Sequence, residues 1–260
     1  MTEVRAKKYL GQHFLTDESI ARRTVDSISP DSRRILEIGP GMGVLTKYLI
    51  DRENTDLHVI EIDHESTDYL HSHYPHLHVI EGDFLRYDLS TLFQDTFTIV
   101  GNFPYNISSQ ILFKVFDMRD QVCEVVGMFQ KEVAERVTAG PGSKTYGILS
   151  VLLSAFYDTE YLFTVHENVF NPPPKVKSAV IRLMRNEVTK LECNEKLFVQ
   201  VVKAGFNQRR KTLRNALRSA NLPIDSIDGE TLSKRAEQLS VAQFIELTKN
   251  IETCTQQPLS

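Results

Sequence analysis

The chain has 260 residues, of which 41% are hydrophobic, a composition that is ordinary for a globular protein with a large core. Its formal charge of −4, taken as a sum, argues against a nucleic-acid-binding protein, because such proteins usually carry a basic excess. No apolar run approaches a membrane span, and the N-terminal residues lack the apolar stretch of a secretory signal. The three cysteines lie far apart, which favours a reducing compartment. We expect a cytoplasmic protein without disulfides or a membrane partner, and we expect a monomer.

Short apolar runs alternate with helical patterns from about residue 20 to residue 185. The predicted strands are 33–39, 57–63, 77–83, 97–105, 124–130, 161–170 and 178–185. The predicted helices are 44–50, 66–74, 108–118, 131–139 and 147–157. This alternation predicts an α/β fold with a parallel, doubly wound sheet and helices on both faces. The near-continuous Val and Ile runs are typical of strands that are buried on both faces.

The pattern changes after Arg185, where only helical signals remain. Apolar residues at helical spacing predict one helical stretch over 194–222, and two shorter helices over 232–239 and 240–251. We therefore predict a catalytic domain of residues 1–187 and a small all-helical domain of residues 188–260.

Three glycines, Gly39, Gly41 and Gly43, follow the first predicted strand and precede a helix. Glycine lets the backbone approach a ligand closely, and a helix N-terminus offers free N–H groups. A dinucleotide-binding loop needs its third glycine where Val44 stands, so the spacing disfavours a nicotinamide cofactor. A tight turn without a ligand is the other interpretation of this loop.

Two acids end the next two predicted strands. Glu61 lies 22 residues beyond Gly39, where a carboxylate can accept both hydroxyls of a ribose, and Asp83 is placed to accept a base amino group. Because parallel strands end at one sheet edge, both acids converge on the ligand crevice. They favour a nucleoside-bearing ligand without a pyrophosphate, and S-adenosylmethionine meets that description. Each acid taken alone could equally be a solvated strand end.

The tetrapeptide Asn102-Phe103-Pro104-Tyr105 ends the fourth predicted strand. An exocyclic aromatic amine is a poor nucleophile, and a site assists it by accepting both of its N–H hydrogens. The Asn102 side-chain oxygen and the Pro104 main-chain carbonyl are suitable acceptors, and the Tyr105 ring offers a face on which a base can stack. The alternative is a plain strand-to-helix turn.

Eight segments, taken in order, resemble one family. They are GQHFL (11–15), EIGPGMGVLT (37–46), VIEID (59–63), EGDF (81–84), GNFPYNISS (101–109), MFQKEVAERV (128–137), YGILSV (146–151) and VFNPPPKVKSAVIRL (169–183). From about residue 6 to residue 220 the chain is similar to the small-subunit ribosomal RNA adenine N6-dimethyltransferases, the KsgA/RsmA family.

The resemblance implies a Rossmann-like class I methyltransferase sheet. It also implies N6-dimethylation of two adjacent adenines in the 3′-terminal hairpin loop of small-subunit (16S) rRNA, with S-adenosyl-L-methionine and no metal. The implied cofactor-binding residues are Gln12, His13, Leu15, Gly39, Gly41, Glu61, Ile62, Asp83, Phe84 and Asn102. The implied catalytic residues are Asn102, Pro104, Tyr105 and Phe170, with Phe170 as a second aromatic wall for a flipped adenine. Three residues depart from the common family pattern: His13 stands where many relatives have Asn, Phe103 replaces the commoner Leu, and Lys177 replaces an Asp.

Charge is segregated along the chain. Residues 31–100 hold 5 basic and 13 acidic residues, whereas residues 196–224 hold 7 basic residues and no acid. Such a cationic run is suited to phosphate contacts, so we predict an RNA-binding helix that carries Arg209, Arg210, Lys211, Arg214 and Arg218. A solvated helix face is the alternative. The N-terminal Arg5, Lys7 and Lys8 would add a second basic edge, and the expected partner is small-subunit rRNA in an immature 30S particle.

Four alternative functions remain open on sequence alone. They are a large-subunit rRNA enzyme, a DNA adenine methyltransferase, a nicotinamide-dependent oxidoreductase, and a ribosome-assembly factor that acts mainly by binding. Two weaker patterns are a histidine run over 71–78, which a zinc ion or plain solvent would explain, and a glycine-containing turn over 140–144, which would form a flexible lid.

Overall fold

A seven-stranded sheet carries the glycine loop and the predicted acids. In the computed structural model, which describes residues 4–90 and 92–256, it has the order β4-β3-β2-β5-β6-β9-β7. The described strands are β1 (Phe14–Leu15), β2 (Arg34–Ile38), β3 (Asp56–Glu61), β4 (His78–Glu81), β5 (Phe97–Asn102), β6 (Val122–Gln130), β7 (Tyr157–Val165), β8 (Phe170–Asn171) and β9 (Ser178–Arg185).

Strands β2 to β6 pair in parallel, but β9 runs antiparallel to β6. The predicted doubly wound sheet is confirmed, and the prediction that it is wholly parallel was wrong. An apolar run does not reveal strand direction, because parallel and antiparallel strands bury the same residues. The reversal places Ser178, the first residue of β9, opposite Gln130, the last residue of β6.

Ten α-helices are described in residues 4–90 and 92–256. They are α1 (Glu18–Asp26), α2 (Thr46–Ile50), α3 (His64–His73), α4 (Ser108–Asp117), α5 (Lys131–Val137), α6 (Ile148–Ser154), α7 (Glu195–Asn207), α8 (Leu213–Ser219), α9 (Gly229–Ser233) and α10 (Val241–Gln256). Helix α1 was not predicted, although Asp17 caps it by accepting hydrogen bonds from the N–H groups of Ser19 and Ile20. Helix α2 begins at Thr46, two residues later than predicted.

The predicted strand 161–170 is divided in the structure. Strand β7 ends at Val165, a 3₁₀ turn covers Glu167–Val169, and β8 follows. Strand β8 pairs antiparallel with β1, so that Leu15 lies opposite Phe170. Strands of two residues have no readable alternation, which explains why neither was predicted. This small sheet attaches the N-terminal segment to the region before β9.

Residue contacts divide the described chain into two compact units. The first comprises the described residues up to Ala134 together with Thr159–Arg185, and the second comprises Glu135–Asp158 together with the chain from Asn186. The core of the first unit joins sheet residues such as Val59, Val100 and Val126 to residues of α1 and α3. The predicted functional division at residue 187 remains a prediction.

The second unit is helical around α7, which contacts α6, α8 and α10. Phe198 and Val202 of α7 are fully buried, as the helical spacing predicts. The single helical stretch predicted over 194–222 was wrong, because α7 ends at Asn207 and α8 begins at Leu213. The predicted helix over 232–239 is likewise replaced by α9 and a 3₁₀ turn at Ala236–Gln238.

None of the helices in the described chain combines the length and apolar character that crossing a membrane requires.

Candidate active site

The three glycines of the loop after β2 all adopt left-handed backbone conformations, with φ of 65°, 57° and 82° at Gly39, Gly41 and Gly43. Each uses its N–H internally: Gly39 donates to Ile60 O at 2.9 Å, Gly43 donates to Pro40 O at 2.9 Å, and Gly41 donates to a Glu61 carboxylate oxygen at 3.1 Å. No glycine N–H of this loop is left to bind a diphosphate. The loop therefore fits a nucleoside ligand better than a dinucleotide, as its spacing predicts.

Glu61 is buried at the end of β3, with 4% of its surface exposed. Its carboxylate accepts N–H groups from Gly41, and from Ile62 and Asp63 at 2.9 Å each. Burial raises the pKa of Glu61 above its ordinary value, and the three N–H groups counteract that shift. A carboxylate has about four acceptor positions, so Glu61 retains capacity for a ligand hydroxyl.

The neighbouring wall suits an adenine ring. Ile62 is an unusual exposed apolar residue, with 52% of its surface accessible, and it lines the same cavity as Phe84 and Asp83. Asp83 is held by the Leu85 N–H at 2.9 Å and lies 3.5 Å from Arg86 Nε through its other oxygen. The structure thus brings these three residues together in one cavity, and their predicted contacts with an adenine base stay predictions.

The N-terminal segment before β1 forms another wall of the cavity. Lys7 forms an ion pair with Asp63, and Gln12 donates to the same carboxylate at 3.3 Å. Burial opposes ionisation of Asp63, but the hydrogen bonds from Lys7, Gln12 and Ser66 lower its pKa overall. Asp63 was missed by sequence reasoning, although it lies in the VIEID segment beside Glu61.

Asn102, the last residue of β5, has a fixed side chain. Its amide nitrogen donates to the main-chain oxygen of His13 at 2.9 Å. Its amide oxygen has no partner among the described residues. The carboxamide is therefore oriented by its donation to His13, and its oxygen is left without a protein partner among the described residues.

The structure changes one predicted role in the same tetrapeptide. The Pro104 carbonyl already accepts the Ile107 N–H at 3.2 Å and the Ser108 hydroxyl at 3.1 Å. A carbonyl oxygen has two lone pairs, so Pro104 is less suited to accept a substrate amine than we predicted. The Phe103 carbonyl accepts no hydrogen bond within the described ranges, which leaves it as the better second acceptor.

Two glycines make room for the Phe103 ring in the wall behind Asn102. Phe103 is buried, and its ring centroid lies 4.7 Å from that of Phe129. A Cβ atom at Gly101 would lie 2.9 Å from this ring, and a Cβ atom at Gly127 would overlap it. The replacement of the commoner Leu by Phe thus depends on the absence of side chains at both glycines.

Tyr105 is held by one contact on its ring and one on its hydroxyl. Its ring stacks on the His13 imidazole with centroids 5.2 Å apart and an interplanar angle of 30°. Its hydroxyl forms a hydrogen bond with the Ser178 hydroxyl. The His13 Nδ1–H donates to the Pro172 carbonyl at 2.7 Å. His13 thus makes a donor contact and a ring contact, and the structure accommodates it at the position where many relatives have Asn.

The predicted site residues line two cavities that share Phe14, Gly39 and Asn102. The first cavity is lined by Gln12, His13, Gly39, Gly41, Glu61, Ile62, Asp83, Phe84, Asn102, Pro104 and Tyr105. Leu15 lines the second cavity, with Glu18, Glu37 and Lys47. Phe170 lines neither; it is 4% exposed and belongs to the core of the first unit. Its predicted role as an aromatic wall stays a prediction, and it requires the ring to become exposed.

Glu37 was not predicted as a site residue. It is fully buried beneath the glycine loop and accepts the Thr46 hydroxyl at 2.6 Å. Burial raises the pKa of Glu37 to about 8. Glu37 therefore keeps its proton near neutral pH, and it adds an uncharged carboxyl group to the second cavity.

The basic segment, residues 209–218 of the second unit, is only partly helical. Arg209, Arg210 and Lys211 lie in the turn between α7 and α8, which corrects the prediction of one continuous cationic helix. Arg209 is half-buried and donates to Ser143 O at 3.3 Å. Within the described chain, no ion pair is formed by Arg210, Lys211, Arg214 and Arg218.

The turn over 140–144 is tied down within the second unit. Gly142 N–H donates to Glu237 O at 2.7 Å, and Arg209 holds Ser143. These bonds argue against the predicted flexible lid.

The histidine run does not gather into a metal site. Across residues 4–90 and 92–256, no three His, Cys, Asp or Glu side chains are close enough to hold an ion. His73 stacks on Tyr69, and His78 stacks on His58 with ring centroids 4.7 Å apart. Ring packing at the surface accounts for these side chains.

Comparison with known proteins identifies the family. The model for ribosomal RNA adenine dimethylase matches residues 3–253. The ribosomal RNA small subunit methyltransferase A of Cytophaga hutchinsonii is 60% identical over 252 residues, which cover 95% of this chain and 98% of that protein. The chain belongs to the ribosomal RNA adenine dimethylase family. The protein of the same name from Flavobacterium johnsoniae is 58% identical over 256 residues, covering 97% and 98% of the two chains.

Solved structures agree with this family and with the fold. A dimethyladenosine transferase from Plasmodium falciparum superposes with a TM-score of 0.74 at 26% identity, covering 90% of this chain and 96% of that one. The 23S rRNA methyltransferase ErmE superposes with a TM-score of 0.67 at 25% identity, covering 90% and 99%. The predicted class I methyltransferase fold with a helical C-terminal part is confirmed. The predicted activity, S-adenosylmethionine-dependent dimethylation of ribosomal RNA adenines, is confirmed with it.

Proposed function

We propose that this adenine dimethylase acts on two adjacent adenines in the 3′-terminal hairpin loop of small-subunit rRNA, within an immature 30S particle in the cytoplasm. Support for the small subunit comes from the relatives with 60% and 58% identity, which are named small-subunit enzymes. The observation that carries the chemistry is the unpartnered oxygen of Asn102, held at the cavity by donation of its amide to His13 O.

The residues present fit S-adenosylmethionine. The first cavity offers Glu61 for the ribose and Asp83 with Ile62 for the adenine, while Leu15 and Lys47 in the second cavity suit the amino-acid end. The three glycine N–H groups of the loop all donate within the protein, which disfavours a diphosphate ligand. When bound, the cofactor supplies an electrophilic methyl group on a sulfonium, and for this reason the chemistry needs no metal ion.

The protein then has to make the adenine amine a better nucleophile. The Asn102 oxygen accepts one amine hydrogen and the Phe103 carbonyl accepts the other, which draws the nitrogen lone pair out of conjugation with the ring. When the nitrogen has taken the methyl group, it releases one of these hydrogens to solvent as a proton. Tyr105 holds the flipped base by stacking, which contributes about 1–3 kcal/mol. Alignment of the amine with the methyl group supplies the larger part of the acceleration.

The basic segment would hold the RNA. Arg210, Lys211, Arg214 and Arg218 have no acidic partner among the described residues, so phosphate contacts cost them no existing ion pair. Arg209 is the exception, because its guanidinium already supports the Ser143 loop. Arg209 would therefore support RNA binding by stabilising the conformation of the basic segment.

Labelled methyl transfer tests the proposal. Purified protein and methyl-labelled S-adenosylmethionine are incubated separately with immature small subunits, large subunits and duplex DNA. We expect label only in the small subunit, on two neighbouring adenines near the rRNA 3′ end. Label on large-subunit rRNA or on DNA would replace the proposed substrate with one of those alternatives.

An assembly role that depends on docking is the second candidate function, and the unpaired cations of the basic segment favour it. Cells that carry only Asn102→Ala distinguish the two roles. Normal small-subunit assembly with unmethylated rRNA would show that docking is the essential function. An assembly defect as severe as that of a deletion would show that methylation is the essential function.

A further inference from the structure

Ser178 is a buried residue to which the proposed chemistry gives no role. Its hydroxyl forms a hydrogen bond with the Tyr105 hydroxyl, at the end of the ring opposite the backbone. The face of the same ring stacks on His13. Tyr105 is thereby held by two contacts from different parts of the chain, and among the described residues only Ser178 contacts its hydroxyl.

The reversed direction of β9 explains why a serine can reach this place. Parallel strands β5 and β6 end at Asn102 and Gln130, on one edge of the sheet. Because β9 is antiparallel to β6, its first residue, Ser178, pairs with Gln130 at that same edge. The preceding peptide is also fixed, since the Lys131 N–H donates to Lys177 O at 2.9 Å.

A stacking ring is useful only in one orientation. A tyrosine ring turns about its side-chain bonds, and a base gains its stacking energy when the two faces align. A hydrogen bond at the far end of the ring fixes its swing about the Cα–Cβ bond, and the stacking on His13 fixes the tilt of its face. Burial raises the pKa of Tyr105, so its hydroxyl keeps its proton for this bond. Without a partner, this largely buried hydroxyl would also bear a desolvation cost.

We propose that Ser178 is a positioning residue for methyl transfer, whose hydroxyl holds the Tyr105 ring in the place where the target adenine stacks on it. The inference rests on the proposed function, since it requires a flipped adenine at Tyr105. It makes the antiparallel strand β9 part of the active site through a single side chain.

A double-mutant cycle tests the proposal. Ser178→Ala, Tyr105→Phe and the double variant are compared on immature small subunits by kcat, KM for the particle and cofactor affinity. We expect about a tenfold loss in kcat/KM in each single variant, as the loss of one aligning hydrogen bond implies. The double variant should lose no more than either single variant, because both changes remove the same bond. Cofactor affinity should stay within about twofold of wild type, because neither hydroxyl is among the groups assigned to the cofactor.

Two further variants separate positioning from stability. Ser178→Thr keeps the hydroxyl and should recover most of the activity, although its extra methyl group in a packed site lowers the melting temperature. Ser150→Ala is the matched control, because Ser150 is equally buried, accepts the Gly147 N–H at 2.9 Å and lies in the second unit. It should lower the melting temperature and leave kcat/KM unchanged.

Single variants as active as wild type, or losses that multiply in the double variant, would overturn the role of Ser178. If Ser178→Ala fails to fold, Tyr105→Phe decides alone: full activity contradicts the proposal, and a tenfold loss supports it. A wild-type protein that methylates no particle would instead overturn the proposed function, and that failure is visible before any variant is compared.

Discussion

The cavity in the first unit and the basic segment in the second unit use polar groups in opposite ways. Around the cavity, Glu61, Asp63 and Asn102 are buried or half-buried. Glu61 and Asp63 accept hydrogen bonds, and Asn102 donates one to His13 O. In the basic segment, Arg210 and Lys211 are exposed and form no ion pair within the described ranges. The first arrangement suits a reaction that depends on geometry. The second suits docking that depends on charge and tolerates movement.

The largest expected effect is the loss of methyl-transfer activity when Asn102 in the cavity is replaced. Asn102→Ala removes an amide oxygen that has no partner among the described residues, and we expect methyl transfer to fall about 10³-fold, as for the loss of one preorganised polar contact to a reacting group. RNA affinity should change little, because the basic segment is untouched. Labelled transfer and a filter-binding assay measure the two quantities. Equal losses of methyl transfer and RNA affinity would contradict the assignment of chemistry to the cavity and of RNA binding to the basic segment.

The next effect concerns packing behind Asn102. Gly127→Ala places a Cβ atom within the volume of the Phe103 ring, and we expect a loss of about 3 kcal/mol in unfolding free energy. Gly140→Ala in the second unit is the matched control, because nothing lies within 4 Å of its Cβ position. Chemical denaturation compares them. Adding Phe103→Leu to Gly127→Ala should restore part of the lost stability. No recovery would mean that the clash with the Phe103 ring is not the cause of the loss.

A smaller effect is expected from the cations. The triple variant Arg210→Ala, Lys211→Ala, Arg218→Ala should weaken RNA binding and reduce the slope of log affinity against log salt by about one for each lost phosphate contact. Lys249→Ala is the control, because Lys249 already pairs with Glu192 and Glu246. A triple variant with an unchanged salt slope would remove the basic segment from the RNA interface.

The last effect is on the pH dependence of stability. Burial raises the pKa of Glu37 from 4.5 to about 8, so the folded protein retains a proton that the unfolded chain releases. The contribution of Glu37 to stability is therefore complete below pH 4.5 and is lost as the pH rises through about 8. We expect Glu37→Gln to remove roughly 1 kcal/mol per pH unit of that decline. Melting temperatures of both proteins at pH 5 and pH 9 test this, and parallel pH curves would contradict it.

Local motifs carried most of what the sequence could predict. The glycine loop, Glu61 and Asn102 each lie at a strand end, so a strand prediction places them together without knowledge of the remaining contacts. The direction of β9, the pairing of β1 with β8 and the role of Ser178 depend on partners far away in the chain. Likewise, nothing in the sequence shows that Pro104 O is already occupied, or that Arg209 supports a loop.

The charge distribution illustrates the same limit. The acidic stretch of residues 31–100 supplies Glu61 and Asp83 to the first cavity, and its association with a cationic ligand stays a prediction. The continuous helix predicted for the basic segment was wrong, because the turn after Asn207 is stabilised by tertiary hydrogen bonds such as that from Leu213 N to Lys234 O at 2.8 Å. Propensity alone does not anticipate a contact with a segment twenty residues further on.

The most direct test of the central claim is to map N6-dimethyladenine in rRNA from cells that lack this protein and carry either the wild-type or the Asn102→Ala chain. We predict two adjacent dimethylated adenines in the 3′-terminal hairpin of small-subunit rRNA with the wild type, and unmodified adenines at both positions with Asn102→Ala. The same modification in cells without the protein, or its persistence with Asn102→Ala, would contradict the account.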